Sequence, residues 1–384
     1  MNESLPPPGD SESEPEVFPL GPRYHPIHKF TRSIYDFLAS SRLAMLLLVT
    51  ILLCCISGVT LWRGVEAGRM VFGTLWFNAL LVLLVVNIAC CFFGRIWGRR
   101  ITVVSLGMIL FHLCFVSILL GVVYNSLFYF RGNIRLTEGE SLPSGDPLSY
   151  DSFEQGRLFK FARLRGETTL VKMHSDYKVG SVDMRSAYEV AVGEGDNRTK
   201  GMVYITHKLS HNGFDYFNDR EGYSLLLVLS DQLGRTLYGG HIPLQSIRQK
   251  DGNFKYSTGY RDGDIVRQDI ILFPVPPEKP LMAVQLGYVL SKVKERAGEA
   301  EFELFPLDGG GKPLFDKLLA KGKAPIGGQF TAGDYHLSAA EVRYWVGMTV
   351  RYEPGKPVVL ASLWIGLGGM VLTTVGRMLR GRRR

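Results

Sequence analysis

The stretch Ile101–Ser141, ITVVSLGMILFHLCFVSILLGVVYNSLFYFRGNIRLTEGES, decides how this chain is built. It begins beside Arg99 and Arg100, and stays apolar and uncharged from Ile101 to Phe130. It then emerges at Arg131 into polar sequence. A helix needs about 20 apolar residues to cross a bilayer, so the stretch reads as a membrane span and its exit. Within it lies one histidine, His112. Counted from the start of the run, His112 lies about 17 Å along the helix axis at 1.5 Å per residue, close to mid-bilayer. A polar, ionisable side chain at that depth is costly unless something binds it.

Three further apolar runs lie outside this stretch: Leu43–Leu61, Met70–Phe93 and Pro357–Gly376. The expected fold class is an integral membrane α-helical protein with four transmembrane helices plus a β-rich, sandwich-like exported domain. The expected organisation is a disordered tail over 1–27, an interfacial helix over 28–42, and spans over 43–62, 70–94 and 101–126. An exported domain over 127–355, a last span over 357–377 and a basic tail over 378–384 follow. The N-terminal tail is rich in Pro, Ser and acidic residues and cannot bury a core. It lacks the pattern of a signal peptide, so the first span is expected to serve as the export signal. Over 28–42, Phe30, Ile34 and Phe37/Leu38 share one helical face. That suits a helix lying at the membrane surface, or equally a lead-in to the first span.

The net charge of +8 is unevenly distributed. Arg131–Lys356 holds 30 Lys+Arg against 29 Asp+Glu, so the excess sits around the spans. That is a topology signal and excludes a nucleic-acid footprint. Arg23, Lys29, Arg32 and Arg42 precede the first span. Arg95, Arg99 and Arg100 fall between the second and third spans, and Arg377, Arg380, Arg382, Arg383 and Arg384 follow the fourth. The positive-inside rule places all three groups, and both termini, in the cytoplasm. All five cysteines (Cys54, Cys55, Cys90, Cys91, Cys114) fall within spans. The exported domain therefore has no disulfide or thiolate metal site.

Strand-like runs in that domain include Ala187–Val192, Met202–Thr206, Ser224–Leu229, Ile265–Phe273, Leu281–Leu290, Glu301–Phe305 and Tyr335–Tyr352. Asp-Gly and Gly-rich turns separate them. Leu314–Lys321 is the one stretch with a helical pattern. In the second span, Asn78 and Asn87 are expected to make interhelical hydrogen bonds rather than bind a ligand. In the fourth, Ser362, Gly366, Gly369 and Thr373 recur at helical spacing. This small-residue stripe admits close approach of another helix, from this chain or another protein.

No soluble-enzyme motif is present: no phosphate-binding Gly loop, no G-x-S-x-G, no C-x-x-C, no H-E-x-x-H. No catalytic residue and no metal site is assigned. His207 and His211 lie four apart between strand-like runs, where that spacing does not bring two imidazoles to one ion. For His112, with the neutral imidazole expected in lipid, four roles stay open: axial ligand to haem iron, metal ligand, proton relay or interhelical hydrogen bond. Cys114, two residues on, lies about 200° around the helix and shares no face with it.

Several stretches, taken in order, carry a resemblance. They are LASSRLAMLLL (Leu38–Leu48), WFNALLVLLVVNIACCFFGR (Trp76–Arg95) and LGMILFHLCFVSILLG (Leu106–Gly121) followed by FRGNIRLTEGES (Phe130–Ser141). HKLSHNGFDYFN (His207–Asn218) and YEPGKPVVLASLWIGLGGMVL (Tyr352–Leu372) complete the set. With three spans, a large domain and one more span, the chain resembles the ResB family, also called CcsB, of System II cytochrome c biogenesis. The resemblance implies a location in the bacterial inner membrane. It also implies a partner of the CcsA/ResC type with a tryptophan-rich haem-handling segment, haem as cofactor or cargo, and apocytochrome c as substrate. It matches His112 to the family's in-membrane haem-ligand histidine. The five tryptophans here are unclustered, so the chain looks like the non-fused, accessory subunit of a haem-ligating complex. The alternative expectation is a membrane-anchored scaffold that binds apocytochrome without a haem site of its own.

Overall fold

A computed structural model describes residues 26–62, 67–96, 102–249, 252, 254–262, 265–291 and 296–381. The tail expected over 1–27 lies almost wholly outside these residues, as do Arg23, Arg99, Arg100, Arg382, Arg383 and Arg384 of the basic clusters. The chain divides into two units, one of residues 1–120 with 362–384 and one of Gly121–Ala361.

The helical unit carries α1 (Pro26–Leu38), α2 (Ser41–Thr60), α3 (Leu75–Ile96) and most of α4 (Val103–Phe128) and α5 (Lys356–Gly381). The last four are long and apolar enough to cross a membrane. α1 is amphipathic and too short to span, with Ile34, Tyr35 and Phe37 exposed. The second apolar run begins at Met70, but its helix begins at Leu75. Gly68–Phe72 forms a separate π-helical turn, closed by the Gly73 N–H on the Gly68 carbonyl at 2.6 Å. That turn packs on α2 at Gly58, where an added Cβ would stand 2.8 Å from the Phe72 ring.

In the β-rich unit every strand pairing is antiparallel. Two strands of 18 residues, Phe214–Asp231 and Tyr335–Tyr352, pair along their whole length and form the spine of a seven-stranded sheet. The strand Phe130–Thr137 lies against Tyr335–Tyr352 on its other side. Phe130, Gly132, Ile134 and Leu136 turn inward while Arg131, Asn133 and Arg135 turn outward, the period-2 pattern of a strand with one covered face.

Two hydrophobic cores share this spine. The first collects Phe130, Ile134, Leu136, Tyr216, Val346, Met348 and Val350, with Leu170, Tyr188 and Val190 of the four-stranded sheet. The second collects Leu225, Leu227, Leu229 and Leu337 with Phe273, Val284, Leu286, Phe302 and Leu304 of the six-stranded sheet. The expected sandwich is therefore doubled, with one long sheet serving two cores. Bulges at Asn218/Arg220 and Leu226/Leu227 let the spine do this. The first switches the inward set of Phe214–Asp231 from even numbers (Phe214, Tyr216) to odd (Leu225, Leu227, Leu229), and the second, with Ala340 as the extra residue, switches that of Tyr335–Tyr352 from odd (Leu337, Ala339) to even (Val346, Met348, Val350), because a bulge inserts one residue into the alternation.

Two local expectations are corrected. Leu314–Lys321 is not helical: it holds a turn at Phe315–Asp316 and then enters the strand Ala320–Pro325. Phe315, Leu318 and Leu319 are exposed, so a helix there would bury no apolar face. The Leu319 N–H instead bonds the Leu304 carbonyl at 2.8 Å, extending the sheet pairing. Ile265–Phe273 is not one strand. Ile265–Gln268 and Ile271–Phe273 belong to different sheets, parted where the Asp269 N–H turns to the Thr258 carbonyl.

Candidate functional site

His112 sits one turn beyond Met108 on α4, and the helix itself supplies its first partner. Nδ1 lies 2.8 Å from the Met108 carbonyl oxygen, one turn back. A carbonyl only accepts, so Nδ1 carries the proton and donates it. In the neutral imidazole, Nε2 then holds the lone pair. Among the described residues no group is hydrogen-bonded to Nε2. The ring stacks on Phe92 of α3, with centroids 4.4 Å apart and planes 23° apart. Phe111 meets it edge-on at 5.9 Å. The imidazole is thus fixed twice, by a hydrogen bond at one nitrogen and an aromatic ring on one face. The flanking Met108 and Phe115 are 42% and 46% exposed. His112 therefore lies beside a helix face that the described residues leave partly exposed.

The helices around it are held by small and polar groups. Gly366 of α5 faces Cys114 of α4, and an added Cβ would collide with its Sγ. At Gly369 a Cβ would stand 2.8 Å from the Gly107 carbonyl oxygen and 2.9 Å from the Phe111 nitrogen. Ser362 is buried, and the Thr373 hydroxyl donates to the Gly369 carbonyl at 2.8 Å. The stripe on α5 therefore lies against the helix that carries His112. Cys114 points into this contact, away from the imidazole, as the helical spacing requires.

Asn87 closes the break between α1 and α2. Fully buried, it donates through Nδ2 to the carbonyls of Leu38 (2.6 Å) and Ser40 (3.1 Å). The Cys91 thiol does the same for Ala39 at 3.0 Å, and the Tyr35 hydroxyl donates to the Cys90 carbonyl at 2.9 Å. Asn87 is thus an interhelical bonder, as its position suggested. Asn78 turns to the carbonyl of Thr74 at the start of its own helix.

The histidines of the β-rich unit do not converge. His207 bonds the Met202 carbonyl at 2.9 Å, whereas His211 is buried between Thr199 (2.8 Å) and Asn212 (3.0 Å). Burial lowers the pKa of His211. His241 is also shifted down, first by burial and then by the neighbouring Arg343. Among the described residues no three His, Cys, Asp or Glu side chains gather as a metal site.

Sequence reasoning found His112 but not Phe92, because a ring contact between two helices leaves no trace in either helix's own periodicity. The Met108 carbonyl was available to it, since every helical histidine has a carbonyl one turn back.

Compared with known families, residues 98–178 match the ResB-like family. That is the family the sequence resembles, and the matched segment holds α4, His112 and the strand Phe130–Thr137. No curated protein matches the chain.

Proposed function

We propose that this ResB-like chain is a membrane subunit of the System II cytochrome c maturation complex, helping to pass haem across the membrane and join it to apocytochrome c. The match over residues 98–178 supports this through the family's association with cytochrome c biogenesis. The observation that carries the reading is the state of His112: Nδ1–H committed to Met108, ring backed by Phe92, and Nε2 without a partner among the described residues. A metal-ligating histidine characteristically donates its other ring N–H to a carbonyl or carboxylate, which fixes tautomer and orientation.

These residues fit haem. Bound haem supplies an iron that takes axial nitrogen donors, set in a flat apolar disc. His112 would hold the iron, Phe92 would keep the imidazole from turning, and Met108 and Phe115 would give the disc an apolar wall. The rest of the enclosure would come from a CcsA/ResC-type partner seated on the partly exposed helix face. In this reading the membrane is the bacterial inner membrane, with both termini cytoplasmic and the β-rich unit outside.

The test is the absorption spectrum of the chain purified with its partner. His112→Ala is expected to abolish the haem bands and cytochrome c maturation, with added imidazole restoring part of the spectrum. Full haem content and full maturation in that variant would remove the ligand role.

A second reading, a scaffold that binds apocytochrome without haem, is favoured by one observation. A mostly apolar cleft of about 390 Å³ opens beside His241, Ile242, Ile271, Val275 and Pro276. It predicts that Val275→Asp in the full chain abolishes apocytochrome capture while His112→Ala leaves it intact.

A further inference from the structure

The sheet of the β-rich unit carries a row of charges where it meets the helix ends. Across four neighbouring strands the directly opposed residues are Glu154, Arg131, Arg351 and Asp215. Opposed residues of an antiparallel ladder share a face, so the two arginine side chains leave the sheet on the same side. Like charges placed so are destabilising.

The nearby carboxylates do not neutralise them. Asp215 is engaged by Lys208 and, at 2.6 Å, by the Ser210 hydroxyl. Glu353 pairs with Lys356 at 3.4 Å. Neither Arg131 nor Arg351 has a carboxylate oxygen within 4 Å among the described residues. Glu154, opposite Arg131, makes no ion pair with it. Arg351 lies over the Phe217 ring at 5.0 Å, and its Nε is buried with no hydrogen-bond partner. A buried charged N–H left unmade is costly and calls for an acceptor.

Both arginines line one cavity of about 180 Å³, together with Asn125, Tyr129, Glu154 and Glu353. Asn125 is held there by the Gly355 N–H, 3.3 Å from its Oδ1. An added Cβ on Gly355 would meet the Gly121 carbonyl and stand 2.7 Å from the Asn125 Cβ, so the ends of α4 and α5 touch beside the cavity.

We propose that Arg131 and Arg351 hold one oxyanion, the phosphate of a membrane phospholipid. Guanidinium forks suit phosphate oxygens, which they take up two N–H donors at a time. The lipid source follows from chain position. α4 ends at Phe128, three residues before Arg131, and α5 begins at Lys356, five residues after Arg351. Both helices are long and apolar enough to cross a membrane, which puts the pair at headgroup depth. Tyr124, Phe128, Tyr129 and Tyr352 give that level the aromatic residues found at membrane interfaces. The site depends only on the helices crossing a bilayer and stands whether or not His112 binds haem.

The experiment is native mass spectrometry of the full chain released from nanodiscs of phosphatidylglycerol and phosphatidylethanolamine. The wild type is expected to retain one phospholipid. Arg131→Gln/Arg351→Gln should lose it at least tenfold more readily, and Arg351→Lys should fall between. Arg135→Gln, on the same strand and face but paired with Asp151 at 2.7 Å, should behave as wild type. A thermal midpoint near the wild-type value shows that the double variant is folded; if it is not, the Arg351→Lys ranking decides. Equal lipid retention in wild type and the arginine variants overturns the proposal. So does displacement of the lipid by millimolar inorganic phosphate or by haem, which would assign the site to a soluble oxyanion or to a carboxylate cargo.

Discussion

At the scale of single residues, His112 differs from an ordinary buried histidine by the asymmetry of its two nitrogens. One is tied to Met108, and among the described residues the other has no hydrogen-bond partner. Phe92 makes that asymmetry persistent, since a stacked aromatic pair contributes about 0.5–1.5 kcal/mol beyond its buried area. Under the proposed haem role, Phe92→Ala is therefore expected to keep a haem spectrum but weaken haem retention by about 2- to 10-fold, the same energy expressed as an equilibrium. Phe92→Leu should fall nearer the wild type. Stepwise haem extraction by apomyoglobin would measure it, and identical off-rates in all three proteins would show that the ring has no positioning role. The sequence made the position of His112 along its helix legible, because helical rise counts it off from the start of the apolar run. It could not show the ring's neighbours, because those depend on how three helices choose their mutual rotation.

At the scale of elements, the small-residue stripe of α5 was readable as a stripe but not as a contact. Periodicity marks which face is small; only packing assigns it to Gly107, Phe111 and Cys114 of α4. Gly369→Leu would press on backbone atoms that cannot yield. Overpacking of this kind costs about 1–3 kcal/mol, readable as a lowered thermal midpoint in detergent. Gly366→Ala presses on a side chain instead. It is expected to destabilise the wild type but to be tolerated with Cys114→Ala, giving a coupling of about 0.5–3 kcal/mol in a double-mutant cycle. Strict additivity would place the two residues out of contact. Among the strands, Tyr335–Tyr352 was legible to the residue. Phe130–Thr137 was read only as the polar exit from the apolar run and not as a strand, and Leu314–Lys321 read as a helix that has nothing to pack on.

For the whole molecule, the pattern of strands declared an antiparallel β-rich unit but not its two cores, because the bulges that join them interrupt the very alternation used to find strands. Each core is closely filled: Phe302 is fully buried and stacks on Phe330 at 5.2 Å. Phe302→Ala is expected to cost about 3–5 kcal/mol, seen as an early urea transition. The unit also responds to acid through its buried imidazoles. His211 and His241 have pKa values below the ordinary imidazole value of about 6.5. The unfolded chain therefore binds protons more readily than the folded one in the range just below that value. Stability is retained above about pH 6.5 and falls as pH drops toward the lowered folded values. His241→Gln should flatten the dependence of the urea midpoint between about pH 7 and 5; an unchanged slope would exclude His241 as a contributor.

The two strands at the centre of the long sheet, Phe130–Thr137 and Tyr335–Tyr352, are direct continuations of α4 and into α5, with some 200 residues between them. A ribosome adding about 5–20 residues per second needs roughly 10–40 s to reach the second after making the first. For that interval the first strand has no central neighbour, and the sheet holds an open seam that any passing extended chain could fill. Biogenesis of this protein is thus a race between translation and mispairing, and the last strand to be made is the one that ends it.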